Sequence, residues 1–213
     1  MRDFSDNCVV LKIKDYRDDD RLANVFTAEH GLVTVVFRGV KKEKAKLKPF
    51  AQPFTVFSSR LTSSKGAYLT PVEPMLISDG FTICADLRVF TAASVAAEAT
   101  VGALGDDEKH PQLYIEFLKF LAAAEFNGDP YYQAAVYMLH LLELSGFYRE
   151  YAFEEKPVSP VRLLGYAQKV GYEKREESDL SRRALKYVSS EFQKNFDIIL
   201  KQIWFNFIKI IIR

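Results

Sequence analysis

One stretch of this sequence carries side chains suited to holding a polyanion: Arg38-Gly39-Val40-Lys41-Lys42-Glu43-Lys44-Ala45-Lys46-Leu47-Lys48. Six of its eleven residues are cationic (Arg38, Lys41, Lys42, Lys44, Lys46 and Lys48) and one is acidic. Mobile lysines neutralise phosphates without reading sequence, and each contact adds to a salt-dependent, largely nonspecific affinity. The competing reading is a solvated charge run without a partner. Phosphate is the expectation, because the run leaves a strand that belongs to a small barrel. Binding of single strands also asks for rings on which bases stack. Phe37, Phe50, Phe54, Phe57 and Tyr68 lie close by in the chain, although strand alternation sends about half of such residues into a core.

Other chemistries lack their residues. Cys8 and Cys84 form no CxxC pair, and His30, His110 and His140 show neither HxxxH nor HExxH spacing, so no metal site is expected. His140, set among leucines, reads as a hydrogen-bonded core histidine and His30, beside a glycine, as a turn residue. Asp18-Asp19-Asp20 reads as a solvated turn, since hard-cation sites draw ligands from several positions. GxSxG, GxxxxGK[ST] and GxGxxG are all missing, and with them the signatures of hydrolase, NTPase and dinucleotide chemistry. An enzyme is not expected, and neither is a cofactor.

The elements that must position the basic run are strands. Val9, Leu11 and Ile13 alternate with Lys12 and Lys14, and Leu32–Phe37 is rich in β-branched residues and stops at Arg38-Gly39. Arg21–Thr27 leads through Glu29-His30-Gly31 into that strand as a hairpin, with the glycine free to take positive φ. Pro53–Leu61 and Ala67–Val72 flank the turn Thr62–Gly66 as a second hairpin. Five short strands in about eighty residues predict a small barrel over residues 1–80.

Past Gly80 the apolar period lengthens to that of a helix, which assigns residues 81–213 to an all-helical domain and the whole chain to the α+β class. Apolar stripes run from Ile83 to Leu104, from Leu113 to Ala124 and from Ala134 to Ser145. A short helix is expected over Ser159–Val170, and a long one opens at Asp179-Leu180-Ser181 and reaches Phe207. The tail Ile203–Arg213 is apolar but short of the roughly 20 residues of a membrane span, so a terminal helix or strand packed into the helical domain is expected.

Composition agrees with folded domains: 213 residues, 48% hydrophobic and 14% aromatic, leave no room for a disordered or fibrous chain. The net charge of +1 conceals a division, with +3 over residues 1–80, −7 over 81–160 and +5 over 161–213. Basic ends and an acidic middle suit either a polyanion partner or docking within the molecule. The opening MRDFSDNCVV lacks the basic and long apolar regions of a signal peptide, and two distant cysteines make no disulfide framework, so a cytosolic protein is expected.

The residues Val10-Leu11-Lys12, Asp15-Tyr16, Arg21-Leu22, Phe26-Thr27, Gly31, Arg38-Gly39-Val40-Lys41-Lys42 and Gln52-Pro53-Phe54 form a spread pattern that resembles the RecO family of bacterial recombination mediators. Tyr114–Ala124 and Tyr132–Phe147, ending Leu144-Ser145-Gly146-Phe147, extend the likeness. The resemblance implies an N-terminal five-stranded OB-fold followed by a helical domain. It also implies a non-catalytic mediator, cytoplasmic and associated with the nucleoid, that binds single- and double-stranded DNA and anneals complementary strands. The implied partners are RecR, the C-terminal tail of single-strand-binding protein (SSB), RecA, and in many members RecF. For the acidic, apolar-ended SSB tail, Arg182, Arg183 and Lys186 beside Leu180, Ala184 and Val188 are the candidate contact, against a plain solvated helix face. Two departures stand out. Phe147–Tyr151 lacks the cysteines that hold zinc in many members, and Leu200-Lys201-Gln202-Ile203 lacks an arginine common near the family's end. The alternative is an OB-fold that binds proteins and not DNA.

Overall fold

The computed structural model describes residues 2–63, 68–105 and 108–196. They fall into two compact units, one made of the chain up to Ala85 with Leu104–Ile115, the other of Asp86–Ala103 with the chain from Glu116 onward.

The first unit holds five strands, β1 (Arg2–Tyr16), β2 (Asp20–Thr27), β3 (Gly31–Phe37), β4 (Val56–Ser63) and β5 (Thr70–Ser78), antiparallel in the spatial order β3-β2-β1-β4-β5. The sheet closes on itself just ahead of β5. Leu69 pairs in parallel with Val35, its N–H donates to Thr34 O at 3.0 Å, and Val36 N–H donates to Leu69 O at 2.8 Å. Closure of this kind removes the free edges of an open sheet and gives the barrel of an OB-fold. Cys8, Val10, Ala23, Val25, Val33, Val35, Phe37, Phe57, Leu61 and Leu69 fill its interior. Burial there pushes the Cys8 thiol far above its ordinary range.

The alternation expected along β1 is interrupted. Its pairing with β2 shifts register between Val10 and Lys12, so Val10 and Ile13 both join the interior, while Val9 and Leu11 leave the Ile13 face yet remain buried. β1 also starts earlier than its apolar run, because Arg2–Val9 pairs with β4 through polar residues that carry no hydrophobic signal. Phe54, at φ +62°, turns the chain ahead of β4 and delays that strand to Val56. At the β2–β3 turn, His30 Nδ1 lies 2.7 Å from the buried Asp6 carboxylate and its ring stacks on Phe4. The short helix α1 (Phe81–Ala85) follows β5.

The second unit is helical: α2 (Leu87–Ala103), α3 (Pro111–Phe126) from Glu116 on, α4 (Pro130–Leu144), α5 (Pro160–Val170) and α6 (Asp179–Phe196). The helix expected from Ile83 to Leu104 breaks at Asp86, whose carboxylate accepts the Arg88 N–H at 2.8 Å and so starts α2 afresh. α4 is buried along nearly its whole length and packs against α2, α5 and α6. Its Tyr137 stacks on Phe120, meets Phe117 edge-on, and shares a 2.6 Å hydrogen bond with Thr100 Oγ1. His140 is hydrogen-bonded as expected, to Glu116 at 3.0 Å, but half-buried and not in the core. Residues 64–67 of the expected second hairpin turn, the expected reach of the last helix to Phe207 and the expected packing of the apolar tail lie outside the described residues. Among the described residues no helix is long and apolar enough to cross a membrane.

Asp129 caps α4, its Oδ1 accepting the Tyr132 N–H at 3.1 Å, and is fully buried. Desolvation raises its pKa, against weaker opposition from the nearby Ser181 side chain and the Tyr132 N–H. A carboxyl whose folded pKa is raised favours the native state at low pH and loses that contribution as pH rises through the folded value. Asp129→Asn keeps the acceptor and has no charge to bury. Its thermal midpoint is therefore expected to hold up better than that of the parent between acid and neutral pH. Asp129→Ala should fall below Asp129→Asn by about 1 kcal/mol at any pH, the usual value of a cap.

Candidate nucleic-acid interface

The segment from Arg38 to Phe50 connects β3 to β4 as a string of tight turns that ends in a 3-10 turn at Lys48–Phe50. Lys42 N–H donates to Gly39 O, Ala45 N–H to Lys42 O, and Lys48 N–H to Ala45 O. Val40, Leu47, Phe50 and Ala51 from this stretch pack into the barrel interior. With its apolar residues drawn in to stopper the barrel, the loop turns Arg38, Lys41, Lys42, Lys44, Lys46 and Lys48 outward, and all six are exposed. The apolar insertions hold the cations in place on a surface where a charged loop alone would wander.

The acidic turn between β1 and β2 supplies the rest of the anchoring. Asp20 Oδ1 accepts the Gly39 N–H at 2.8 Å and Asp19 O accepts the Lys41 N–H at 3.1 Å. Asp15 takes the Lys41 ammonium at 3.2 Å and the Arg21 guanidinium at 3.4 Å, while Asp19 faces Lys42 at 3.4 Å. Lys41, bonded to its oxygen, holds the Asp15 carboxyl below its ordinary range, with Arg21 assisting. Arg21 also donates to Ala51 O at 3.1 Å, tying the far end of the loop to the same strand pair. Asp19 and Asp20, expected as solvated, are thus fasteners of the basic loop, and only Asp18 of the three has no partner among the described residues. Sequence reading missed this role, although the acidic turn and the basic loop at successive hairpin ends were its available signal.

The six cations divide accordingly. Lys41 and Lys42 are paired with carboxylates, whereas Arg38, Lys44, Lys46 and Lys48 have no carboxylate in ion-pair reach among the described residues. Four cations on one loop are free to meet phosphate. Of the neighbouring aromatic residues, Phe37, Phe54 and Phe57 are core, and Phe50 leans on Phe57. Tyr68 is the one with an open ring, 40% exposed and edge-on to Tyr16.

The other candidate set lies on α6. Arg182 is engaged by Glu177, which also binds Arg88, and its guanidinium sits 5.3 Å from the centre of the Tyr131 ring. The Glu177 carboxylate beside it raises the Arg182 pKa. Arg183 stands exposed, 4.0 Å from Asp179, and Lys186 is exposed with no ion-pair partner among the described residues. The three are therefore not equivalent: Arg182 is a packing residue, and Arg183 and Lys186 face solvent. A cavity of about 430 Å³ farther along the helix is lined by Leu139, Leu142, Phe147, Tyr151, Arg149 and Lys194 among others. Among the described residues no group of three or more His, Cys, Asp or Glu is placed to hold a metal.

Comparison with known proteins places both units. The family model for the N-terminal part of recombination protein O matches residues 1–77, and that for its C-terminal part matches residues 84–188. The chain is similar to the DNA repair protein RecO of Clostridium perfringens, 30% identical over 140 residues that make up 65% of this chain and 56% of that protein. The protein of the same name from Anaeromyxobacter dehalogenans is 28% identical over 118 residues, 55% of this chain and 46% of the relative. That of Bacillus velezensis is 26% identical over 142 residues, 67% and 55%. The chain spans about half the length of the curated relatives it matches.

Proposed function

We propose, since the chain belongs to the RecO family, that it is a DNA repair protein that works without catalysis: its barrel binds single- and double-stranded DNA, and it brings complementary strands together. The observation that carries this reading is the anchored loop with four cations, Arg38, Lys44, Lys46 and Lys48, unpaired among the described residues. Two DNA strands repel through their phosphates, and a surface that neutralises both lowers the barrier to their meeting without chemical energy. Annealing of complementary oligonucleotides is therefore expected to proceed without nucleotide and to weaken steeply as salt rises, read by fluorescence quenching between labelled strands. An absolute requirement for nucleotide, or no DNA binding at low salt, overturns the proposal; the latter result leaves the barrel as a protein-binding module.

The family reading extends to partners: RecR, the SSB tail, RecA and RecF at the nucleoid. For an acidic peptide with an apolar end, the helical unit offers apolar walls at Leu139, Leu142 and Phe147, with Lys194 beside them. Lys186 lies two helical turns before Lys194 on the same face of α6. Charge reversal at Arg183 and Lys186 tests this contact better than reversal at Arg182, which also sets a carboxylate against Glu177 and removes the guanidinium packed on the Tyr131 ring.

A further inference from the structure

The register of the barrel puts more than the basic loop on its outer surface. β1 pairs Lys12 with Asn24 and Lys14 with Leu22, and β2 pairs Leu22 with Val36 and Asn24 with Thr34. Their sequence neighbours Ile13, Ala23 and Val35 point inward, so these residues share the outward face of β1, β2 and β3. Leu22 and Val36 are only 7% and 4% exposed although they face away from the interior. Tyr16 lies on the same outward face of β1, two residues beyond Lys14. Tyr68, next to Leu69 on the strand that closes the barrel against β3, points the opposite way from its buried neighbour. The two rings meet edge-on with centroids 5.8 Å apart. Arg17, held at φ +55°, lays its guanidinium 5.1 Å from the centre of the Tyr16 ring. Lys14 and Arg17 are exposed and, like Arg38, have no carboxylate in ion-pair reach among the described residues.

We propose that Tyr68, braced by Tyr16, is a stacking platform for a base of single-stranded DNA, with Lys14, Arg17 and Arg38 receiving the flanking phosphates; this rests on the DNA-binding reading above and gives the site its preference for unpaired strands. An exposed ring braced by a second ring has fewer orientations open to it than a free one, so less order is lost when a base stacks on it. Stacking on aromatic side chains tolerates any base and is worth enough per base to change affinity severalfold. Duplex DNA, with its bases already stacked on one another, gains nothing from the platform and is held by the cations alone.

The test separates base from backbone. Fluorescence anisotropy compares a labelled dT oligomer of about 15 nucleotides, near the upper end of an OB-fold site, with an abasic oligomer of the same length and charge. The protein is expected to bind the dT strand about fivefold or more tightly than the abasic one. Tyr68→Ala should abolish that preference with abasic affinity unchanged, Tyr68→Phe should keep it, and Tyr16→Ala should diminish it, with thermal melts confirming that each variant is folded. Equal affinity of the parent protein for both strands overturns the platform and leaves the phosphate-binding loop standing, as does a preference that survives Tyr68→Ala. Failure to bind either strand removes the DNA-binding reading itself.

Discussion

Replacing Arg38, Lys44, Lys46 and Lys48 together by alanine is expected to cut the slope of log affinity against log salt for single-stranded DNA by about 3, taking about 0.7 for each phosphate that is no longer neutralised. The affinity itself should fall most at low salt and converge on that of the parent as salt rises, because screening removes in both proteins what the substitutions remove in one. The choice of these four follows from the geometry. Lys41 and Lys42 already face Asp15 and Asp19, so a phosphate must compete with a carboxylate for each, and their double replacement should move the slope less. Asp15→Asn supplies the opposite sign: Lys41 is released from its partner and affinity should rise. Titrations at several salt concentrations decide the matter. An unchanged slope in the fourfold variant takes this loop out of the binding site.

The density of lysines in residues 38–48 is a compositional fact and survives folding intact. Which lysines are free is not, because the aspartates that occupy two of them lie more than twenty residues earlier and reach them only through the hairpin. The barrel was legible from alternation and turn residues. The slip of register in β1 was not, since a bulge at Leu11 leaves the string of apolar residues looking continuous. The Tyr16–Tyr68 pair depends on the parallel closure at Leu69, a contact between distant parts of the chain that no periodicity announces. On α6 the apolar stripe was visible, but the burden on Arg182 comes from Glu177 and Tyr131, which pattern alone does not connect to it. The helical break at Asp86 was missed because a cap inside an apolar stripe interrupts the backbone without interrupting the hydrophobic period.

Among single substitutions in the barrel, Gly31→Ala should be one of the most destabilising, and comparison with Gly39→Ala shows why. Both glycines lie at positive φ, +72° and +65°, so alanine at either costs about 1–2 kcal/mol for a conformation that L-residues avoid. At Gly39 the new methyl group has room, with the Lys42 Cδ 3.9 Å away as its only neighbour. At Gly31 it would come within 1.9 Å of the backbone oxygen of Glu108 and 2.7 Å of the carbonyl carbon. A main-chain carbonyl cannot rotate aside as a lysine does, so the segment bearing Glu108 must move, or the turn that carries the His30–Asp6 pair must open. Overpacking of this kind adds roughly 1–3 kcal/mol. Gly31→Ala is thus expected to cost about 2–5 kcal/mol and Gly39→Ala about 1–2 kcal/mol. At about 2–4 °C per kcal/mol for a chain of this size, the first should lower the melting temperature by about 10 °C and the second by less than half of that. Equal losses in the two variants would mean that only the backbone conformation matters and that Gly31 makes no close approach to Glu108. A larger loss at Gly31, with DNA binding retained below its melting temperature, separates the glycine that packs the barrel from the one that lets the basic loop turn.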